Sequence, residues 1–144
     1  MGYYTAEVII RQLIKAGYLV KNTQVYIMGI SYKENCPDLR NTMVPDIAAG
    51  LREYGVSVAV SDPVVDKDEV LHSLGFCLVD VGDIHDADCV VFAVAHRAFL
   101  SLSPEALEGM YRETGGGIPK VLIDMNGAFS EKELTKKNFL YWSL

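Results

Sequence analysis

Two short runs, Val25-Tyr26-Ile27-Met28-Gly29-Ile30 and Cys89-Val90-Val91-Phe92-Ala93-Val94, carry almost no polar side chain. A strand wetted on one side alternates polar and apolar residues, so a run that is apolar at every position must be covered on both faces. That requires helices above and below a sheet, and the intervening segments have helical spacing. From Asn41 to Tyr54, apolar residues recur at Val44, Ile47, Ala48, Leu51 and Tyr54. Asn41 or Thr42 is expected to cap this helix, Asp46 to sit in its positive first turn and Gly55 to end it. Val56 to Val60 then reads as a second strand stopped by Asp62-Pro63.

Further on, Asp66 to Leu74 reads as a short helix closed by Gly75, and Phe76 to Val79 as a brief third strand. Ser103 and Pro104 open a helix predicted to reach Arg112, because serine caps and proline suits the first helical position. Gly115-Gly116-Gly117 is expected to turn the chain into a strand from Lys120 to Asp124, and Glu131 to Lys137 into a closing helix. Strands alternating with helices imply βαβ units with right-handed crossovers. The expectation is an α/β, Rossmann-like, doubly wound sandwich around a parallel sheet of about five strands.

The first twenty or so residues fit that plan less well. Tyr4, Val8, Ile9, Leu13 and Ile14 form an apolar stripe on a helix that precedes the first strand and has no crossover to make. It reads either as a helix packed on the sheet edge or as the end of a helix connecting to something else. The corresponding division is 1–21 for this helix and 22–144 for the sandwich.

Composition narrows the function classes. The chain has 144 residues, 50% of them apolar, which suits one compact domain. Its 13 basic and 19 acidic residues give a net charge of −6, which disfavours binding a polynucleotide but leaves room for one nucleotide diphosphate. No apolar run approaches the roughly 18 residues a membrane helix needs, and residues 1–7 lack the order of a secretory signal. Cys36, Cys77 and Cys89 have no CxxC spacing. Neither a disulfide framework nor a zinc site is expected, and a reducing, cytoplasmic setting fits. The Asp80, Asp83, Asp86, Asp88 group lacks the glycine and terminal glutamate of a calcium loop, so no metal site is expected.

In open parallel sheets, ligands bind beyond the carboxyl ends of the strands. The segment after the first strand, from Ser31 to Arg40, is longer than the usual two to six residues of such a connection. It carries Lys33 and Arg40 next to a helix start, an ammonium and a guanidinium that could meet an anion as a local positive island. Its bland alternative is a structural loop in which Asp38 and Arg40 pair. It is not a dinucleotide fingerprint, since the second and third glycines of GxGxxG are absent after Gly29, and no Walker A pattern exists.

Gly29-Ile30-Ser31-Tyr32-Lys33-Glu34-Asn35-Cys36-Pro37-Asp38-Leu39-Arg40-Asn41-Thr42 resembles the G-x-(S/T/A)-(F/Y)-K-x-(N/D)-x-x-D-x-R-x-(S/T) segment of the UDP-glucose/GDP-mannose dehydrogenase family. In that family the segment opens the C-terminal, UDP-sugar-binding domain. The resemblance continues through Leu51 to Gly55, Ser61 to Val65 and Ala93 to Phe99, and reaches Tyr141-Trp142-Ser143-Leu144. The Lys33 to Asp38 and Ala95 to Arg97 wording is most similar to members acting on UDP-N-acetylhexosamines.

The resemblance implies an enzyme that oxidises the C6 alcohol of a UDP-sugar to a carboxylate with NAD, for surface polysaccharide precursors. In the family an N-terminal domain holds NAD, a cysteine in the middle domain forms covalent intermediates, and a long helix joins the halves. A chain matching only the last third is expected to lack catalytic residues and to be inactive alone. Residues 1–21 would then be the stump of the connecting helix, and the whole enzyme a homodimer. Carried over by position, Tyr32 and Lys33 match the pair that contacts the UDP-sugar, and Arg40 matches the arginine that reaches NAD across the domain interface. Asp38 is expected to orient Arg40. Where some members place an arginine after the final strand, this chain has Asp124-Met125-Asn126-Gly127, so Asn126 is the candidate for a nucleotide contact there.

Other residues are expected to be structural. Thiol catalysis by Cys36 is not expected, Cys77 and Cys89 read as packing, and His72 and His85 as surface residues. For His96, a hydrogen bond to the next loop is favoured over nucleotide contact. The competing reading is a non-catalytic α/β nucleotide-binding or receiver-like signalling module. A receiver needs a lysine after the last strand, where this chain has Asp124.

Overall fold

The computed structural model describes residues 2–113 and 117–144. Two of the three glycines in the expected Gly115-Gly116-Gly117 turn therefore lie outside the described residues. In chain order the elements are α1 (Gly2–Ala16), β1 (Gln24–Met28), α2 (Val44–Arg52), β2 (Ser57–Ser61) and α3 (Lys67–Leu74). A 3₁₀ turn (Val81–Asp83), β3 (Cys89–Phe92), α4 (Arg97–Leu100), α5 (Pro104–Glu108), β4 (Lys120–Asp124), α6 (Glu131–Thr135) and β5 (Phe139–Ser143) follow. The sheet has the order β2-β1-β3-β4-β5 and is parallel at every pairing.

The register explains why the central strands are apolar throughout. Val60, Ile27, Val91, Ile123 and Trp142 lie side by side across the sheet and face a layer built by α1, α2 and α3. One residue earlier, Ala59, Tyr26, Val90, Leu122 and Tyr141 form the opposite row, under Phe99, Leu107 and Leu134 of α4, α5 and α6. Alternate side chains of each strand thus enter two separate cores, as the pleat requires. The expected three-layer parallel sandwich is what forms.

Two of its pieces differ from expectation. Phe76 to Val79 makes only an isolated parallel bridge, Leu78 to Val60, since a 3₁₀ turn at Val81–Asp83 takes over two residues beyond it. The fifth strand is instead Phe139–Ser143, whose half-buried side chains suit an edge position beside β4. Helix boundaries also shift. α2 begins at Val44 with Pro45 in its first turn, and neither expected cap occupies the capping position. Asn41 instead takes a left-handed φ of 59°, and the Thr42 hydroxyl accepts from the Val44 amide at 3.2 Å. The helix opened by Pro104 stops at Glu108, although Ser103 caps it as expected by accepting from the Ala106 amide at 3.1 Å.

α1 packs along α2 and reaches β4 and β5, burying Ala6, Ile9, Ile10 and Leu13. Its buried stripe is rotated from the expected one, since Tyr4 and Ile14 are exposed. The two helices come close at Gly50, where a β-carbon would stand 2.7 Å from that of Ala6, so glycine is required there. Among the described residues, no helix is long and apolar enough to cross a membrane.

Candidate nucleotide site at the carboxyl rim of the sheet

The connections from β1 to β2 and from β3 to β4 leave in opposite directions, so the crevice between the ends of β1 and β3 is the topological switch point. Gly29 turns the chain there. Its φ of +101° is closed to most L-residues, and a β-carbon would lie 2.6 Å from that of Val94. The glycine is therefore placed by close approach of the loops after β1 and β3, and its amide is used by the Ser61 carbonyl at 2.7 Å.

Beyond Gly29 the backbone is held by a buried carboxylate. Asp62 Oδ2 accepts from the amides of Ile30 and Ser31 at 2.8 and 3.2 Å, and Oδ1 from those of Val64 and Val65 at 2.8 and 3.3 Å. A fifth donor is His96 Nε2, 2.9 Å from Oδ2, and both side chains are fully buried. Burial alone would raise the Asp62 pKa, but the His96 hydrogen bond and the Ile30 and Val64 amides outweigh it and hold the carboxyl below its ordinary value. On the other side of the ring, Nδ1 accepts from the Asn35 amide at 2.9 Å. An amide can only donate, so the hydrogen-bond network assigns His96 the neutral form with its proton on Nε2.

These contacts give the long loop its shape. The Tyr32 amide donates to the Asp38 carbonyl at 2.6 Å, closing the segment on itself, and the Ser31 hydroxyl donates to the Lys33 carbonyl at 3.1 Å. Asn35 takes a left-handed φ of 58°, and its side-chain oxygen accepts from the Arg97 amide at 3.0 Å, tying the loop to the start of α4. Tyr32 and Lys33 are left exposed at the top. Among the described residues Lys33 has no ion pair, though its charge helps to hold the Asp38 carboxyl low.

Asp38 and Arg40 do pair, at 2.7 Å between Oδ2 and Nη2, with Nε sharing both oxygens. The Arg40 hydrogen bonds carry the Asp38 pKa down to about 2. The expected positive island is thus weaker than its cations suggest: Lys33 and Arg40 are balanced by Glu34 and Asp38 within the same ten residues. The pair is solvated, however, with the Arg40 side chain 86% exposed. Nε and one Nη2 hydrogen are engaged, leaving three of the five guanidinium N–H donors for a ligand.

Asn126, after β4, is exposed, and its amide nitrogen reaches the Ala93 carbonyl at 3.4 Å. Its loop is shaped by Asp124, fully buried, which accepts from the amides of Asn126 at 3.2 Å and Phe129 at 2.9 Å and from the Tyr141 hydroxyl at 2.6 Å. The loops after β1, β3 and β4 therefore meet on one rim. Asp38 and Arg40 are in contact, Lys33 acts on Asp38 through its charge, and Asn126 joins the β3 loop rather than the lysine.

The same geometry tests whether NAD could sit in the usual place. A dinucleotide pyrophosphate is held by backbone amides at the turn after the first strand. Here the Ile30 and Ser31 amides already hold the Asp62 carboxylate, and Val94 closes over Gly29. These residues do not fit a pyrophosphate against that turn, in agreement with the missing glycine fingerprint.

His96 bonds to neighbouring loops, Cys89 is buried in the sheet with its thiol pKa pushed up by desolvation, and Cys36 is half-buried with its amide on the Lys33 carbonyl. Cys77, expected to be packing, is instead exposed, because it points away from the core that takes its neighbour Phe76. The acidic group is divided among separate partners: Asp80 to Lys67, Asp86 to Tyr26 and Asp88 to Arg112. No cluster suited to a metal occurs among the described residues. Sequence reasoning missed the parts played by Asp62, Asn35 and Asp124. Asp62 and Asp124 each stand at a strand end before a turn, a placement that does not by itself separate a solvated carboxylate from one gathering amides.

Comparison with known proteins identifies the family and the domain. Residues 26–131 match the model of the UDP-glucose/GDP-mannose dehydrogenase family, UDP binding domain. The chain is 35% identical over 113 residues to a UDP-N-acetyl-D-glucosamine 6-dehydrogenase of Salmonella typhi, covering 78% of this chain and 27% of that protein. Its identity to a Pseudomonas aeruginosa protein of the same name is 34% over 131 residues, 91% of this chain and 30% of that one. Among solved structures, an NDP-N-acetyl-D-galactosaminuronic acid dehydrogenase from Methanosarcina mazei superimposes with a TM-score of 0.80 at 23% identity, over 98% of this chain and 28% of that one. The chain thus spans about a third or less of the proteins it matches. None of these relatives is a receiver-like signalling module, so the competing reading finds no support. The chain belongs to the UDP-glucose/GDP-mannose dehydrogenase family, matching the UDP-binding domain of its members.

Proposed function

We propose that this chain is the UDP-sugar-binding domain of an NAD-dependent UDP-N-acetylhexosamine 6-dehydrogenase, which oxidises the C6 alcohol of its substrate to a carboxylate for surface polysaccharide precursors. The carrying observation is the loop after β1: a family-matching segment whose buried side is anchored by Asp62 and His96 while Tyr32, Lys33 and Arg40 stand exposed at the switch point. Lys33 supplies a point charge to substrate oxygens and Tyr32 packs beside the sugar or its chain. Asn126 offers hydrogen bonds to uridine or ribose from the β4 loop. Arg40, oriented by Asp38, uses its remaining N–H donors toward NAD held by the rest of the enzyme, since the β1 turn here is closed to a pyrophosphate.

The catalytic nucleophile and the NAD-binding domain belong to the remaining two thirds of such an enzyme, so this chain binds and positions but does not oxidise. The 1–21 segment, helical over Gly2–Ala16, then carries the end of the helix that connects the halves. The enzyme would be a cytoplasmic homodimer. Titrating the chain with UDP by calorimetry tests the assignment. Lys33→Ala is expected to weaken binding roughly tenfold, the size of one lost charge-assisted hydrogen bond. Arg40→Ala is expected to weaken it less, because the donors that Asp38 leaves free are assigned to NAD and reach UDP only through the charge. Wild-type affinity in both variants would overturn the assignment.

A further inference from the structure

His96 lies beneath the loop that carries Lys33, with no exposed surface and every ring nitrogen engaged. The ring bridges three connections. Nε2 meets Asp62 after β2 at 2.9 Å and the Ser31 hydroxyl after β1 at 3.1 Å, while Nδ1 receives the Asn35 amide at 2.9 Å. Phe99 of α4 packs against it, with ring centroids 5.5 Å apart. A histidine needed only to fill space would not require an acceptor aimed at a backbone amide two residues beyond an exposed lysine.

We infer that His96 is a positioning residue for nucleotide-sugar binding: its unprotonated Nδ1 fixes the Asn35 amide and thereby sets where Tyr32 and Lys33 stand. This rests on the reading of the rim as the UDP-sugar site. The chemical reason is directional. The ring offers one acceptor and one donor, and the two are not interchangeable here, because Asp62 can only accept while the Asn35 amide can only donate. A second proton on the ring would set N–H against N–H at Asn35 while leaving the Asp62 contact intact. Asp62 is the charged group facing the ring from β2. From the β1 connection the ring meets the neutral Ser31 hydroxyl and Asn35 amide, and from α4 the Phe99 ring. The loop should thus be ordered by the neutral ring and loosened by the cation.

Two replacements separate the roles. The side-chain oxygen of His96→Asn can stand in for Nδ1, and the amide nitrogen of His96→Gln can stand in for Nε2. On the 144-residue chain, amide hydrogen exchange and UDP calorimetry are measured together, with thermal melts confirming that each variant is folded. His96→Asn is expected to keep Asn35 protected and UDP affinity near wild type. His96→Gln should lose roughly tenfold in both, the loss of one buried hydrogen bond. In the wild type, nitrogen NMR should find the ring proton on Nε2. A folded His96→Gln with wild-type UDP affinity overturns the inference, as does a ring protonated on Nδ1. Failure of the functional reading looks different: the wild type would not bind UDP, while exchange at Asn35 still reports whether His96 orders the loop.

Discussion

Asp62→Asn isolates the carboxylate under the rim, because the two side chains have nearly the same shape and no cavity is made. Asp62 accepts from five donors: Ile30, Ser31 and His96 on Oδ2, and Val64 and Val65 on Oδ1. An asparagine keeps one oxygen and turns the other into an NH₂ group. The less harmful orientation keeps the oxygen toward Ile30, Ser31 and His96, which leaves the Val64 and Val65 amides facing a donor. Each stranded buried donor costs about 1–3 kcal/mol, so the substitution should cost about 4 kcal/mol, a large share of the 5–15 kcal/mol typical of a domain. Urea denaturation at neutral pH reads this directly, and the melting temperature should fall by roughly 10 °C. Acid adds a second check. The carboxyl is held below its ordinary value of 3.8, so its contribution is present above that pH and is lost as the pH falls from there toward its lower folded value. Wild type should therefore converge on Asp62→Asn in acid. A neutral-pH loss below about 1 kcal/mol would show that the five contacts do not act as an anchor.

Gly29→Ala places a β-carbon at φ +101° and 2.6 Å from that of Val94, so left-handed strain and overpacking together should cost about 3 kcal/mol in a denaturant melt. Adding Val94→Ala should recover only part of it, since the Val94 backbone nitrogen is also within 3.0 Å. At the alkaline end, Tyr18, Tyr26 and Tyr141 are each pushed up to about 12, chiefly by burial and, for the last two, by hydrogen bonds to Asp86 and Asp124. The folded state then favours the neutral phenol. Stability should be full below the ordinary value of 10 and decline as the pH rises from 10 to about 12, with tyrosinate absorbance appearing late in the folded chain.

What could be read from the sequence and what could not divide along physical lines. Val25 to Ile30 and Cys89 to Val94 announce a doubly covered parallel sheet because burial on both faces leaves no polar position, and the register bears this out. Phe139–Ser143 escaped because an edge strand is only half-buried and so lacks that uniform pattern. Phe76 to Val79 misled for the opposite reason, since one buried aromatic gives a short segment the composition of a strand without a partner to pair with beyond Leu78. At the rim, the exposure of Tyr32, Lys33 and Arg40 on a long polar loop could be anticipated from the loop's length and charge, and that of Asn126 from its place just after the final predicted strand. The parts played by Asp62 and Asp124 could not be, since an aspartate before a turn reads alike whether it faces solvent or gathers amides.

Those two buried aspartates explain how an exposed loop can still hold one shape. A ten-residue connection with two cations and two carboxylates has no apolar face of its own to hold it. Order must come from below. Asp62 closes the β1 and β2 loops onto His96, and Asp124 with Tyr141 closes the β4 loop beneath Asn126. Neither carboxylate reaches solvent, so their charge is spent on backbone amides rather than on repelling an incoming anion. The Ile30 and Ser31 amides that could have bound a phosphate are consumed in the process. Under the proposed function, recognition of a nucleotide on this rim therefore falls to the side chains Tyr32, Lys33, Arg40 and Asn126 rather than to the backbone. A rim built this way has no need of the glycine fingerprint, and its affinity should respond to single side-chain replacements, as a site made of backbone amides would not.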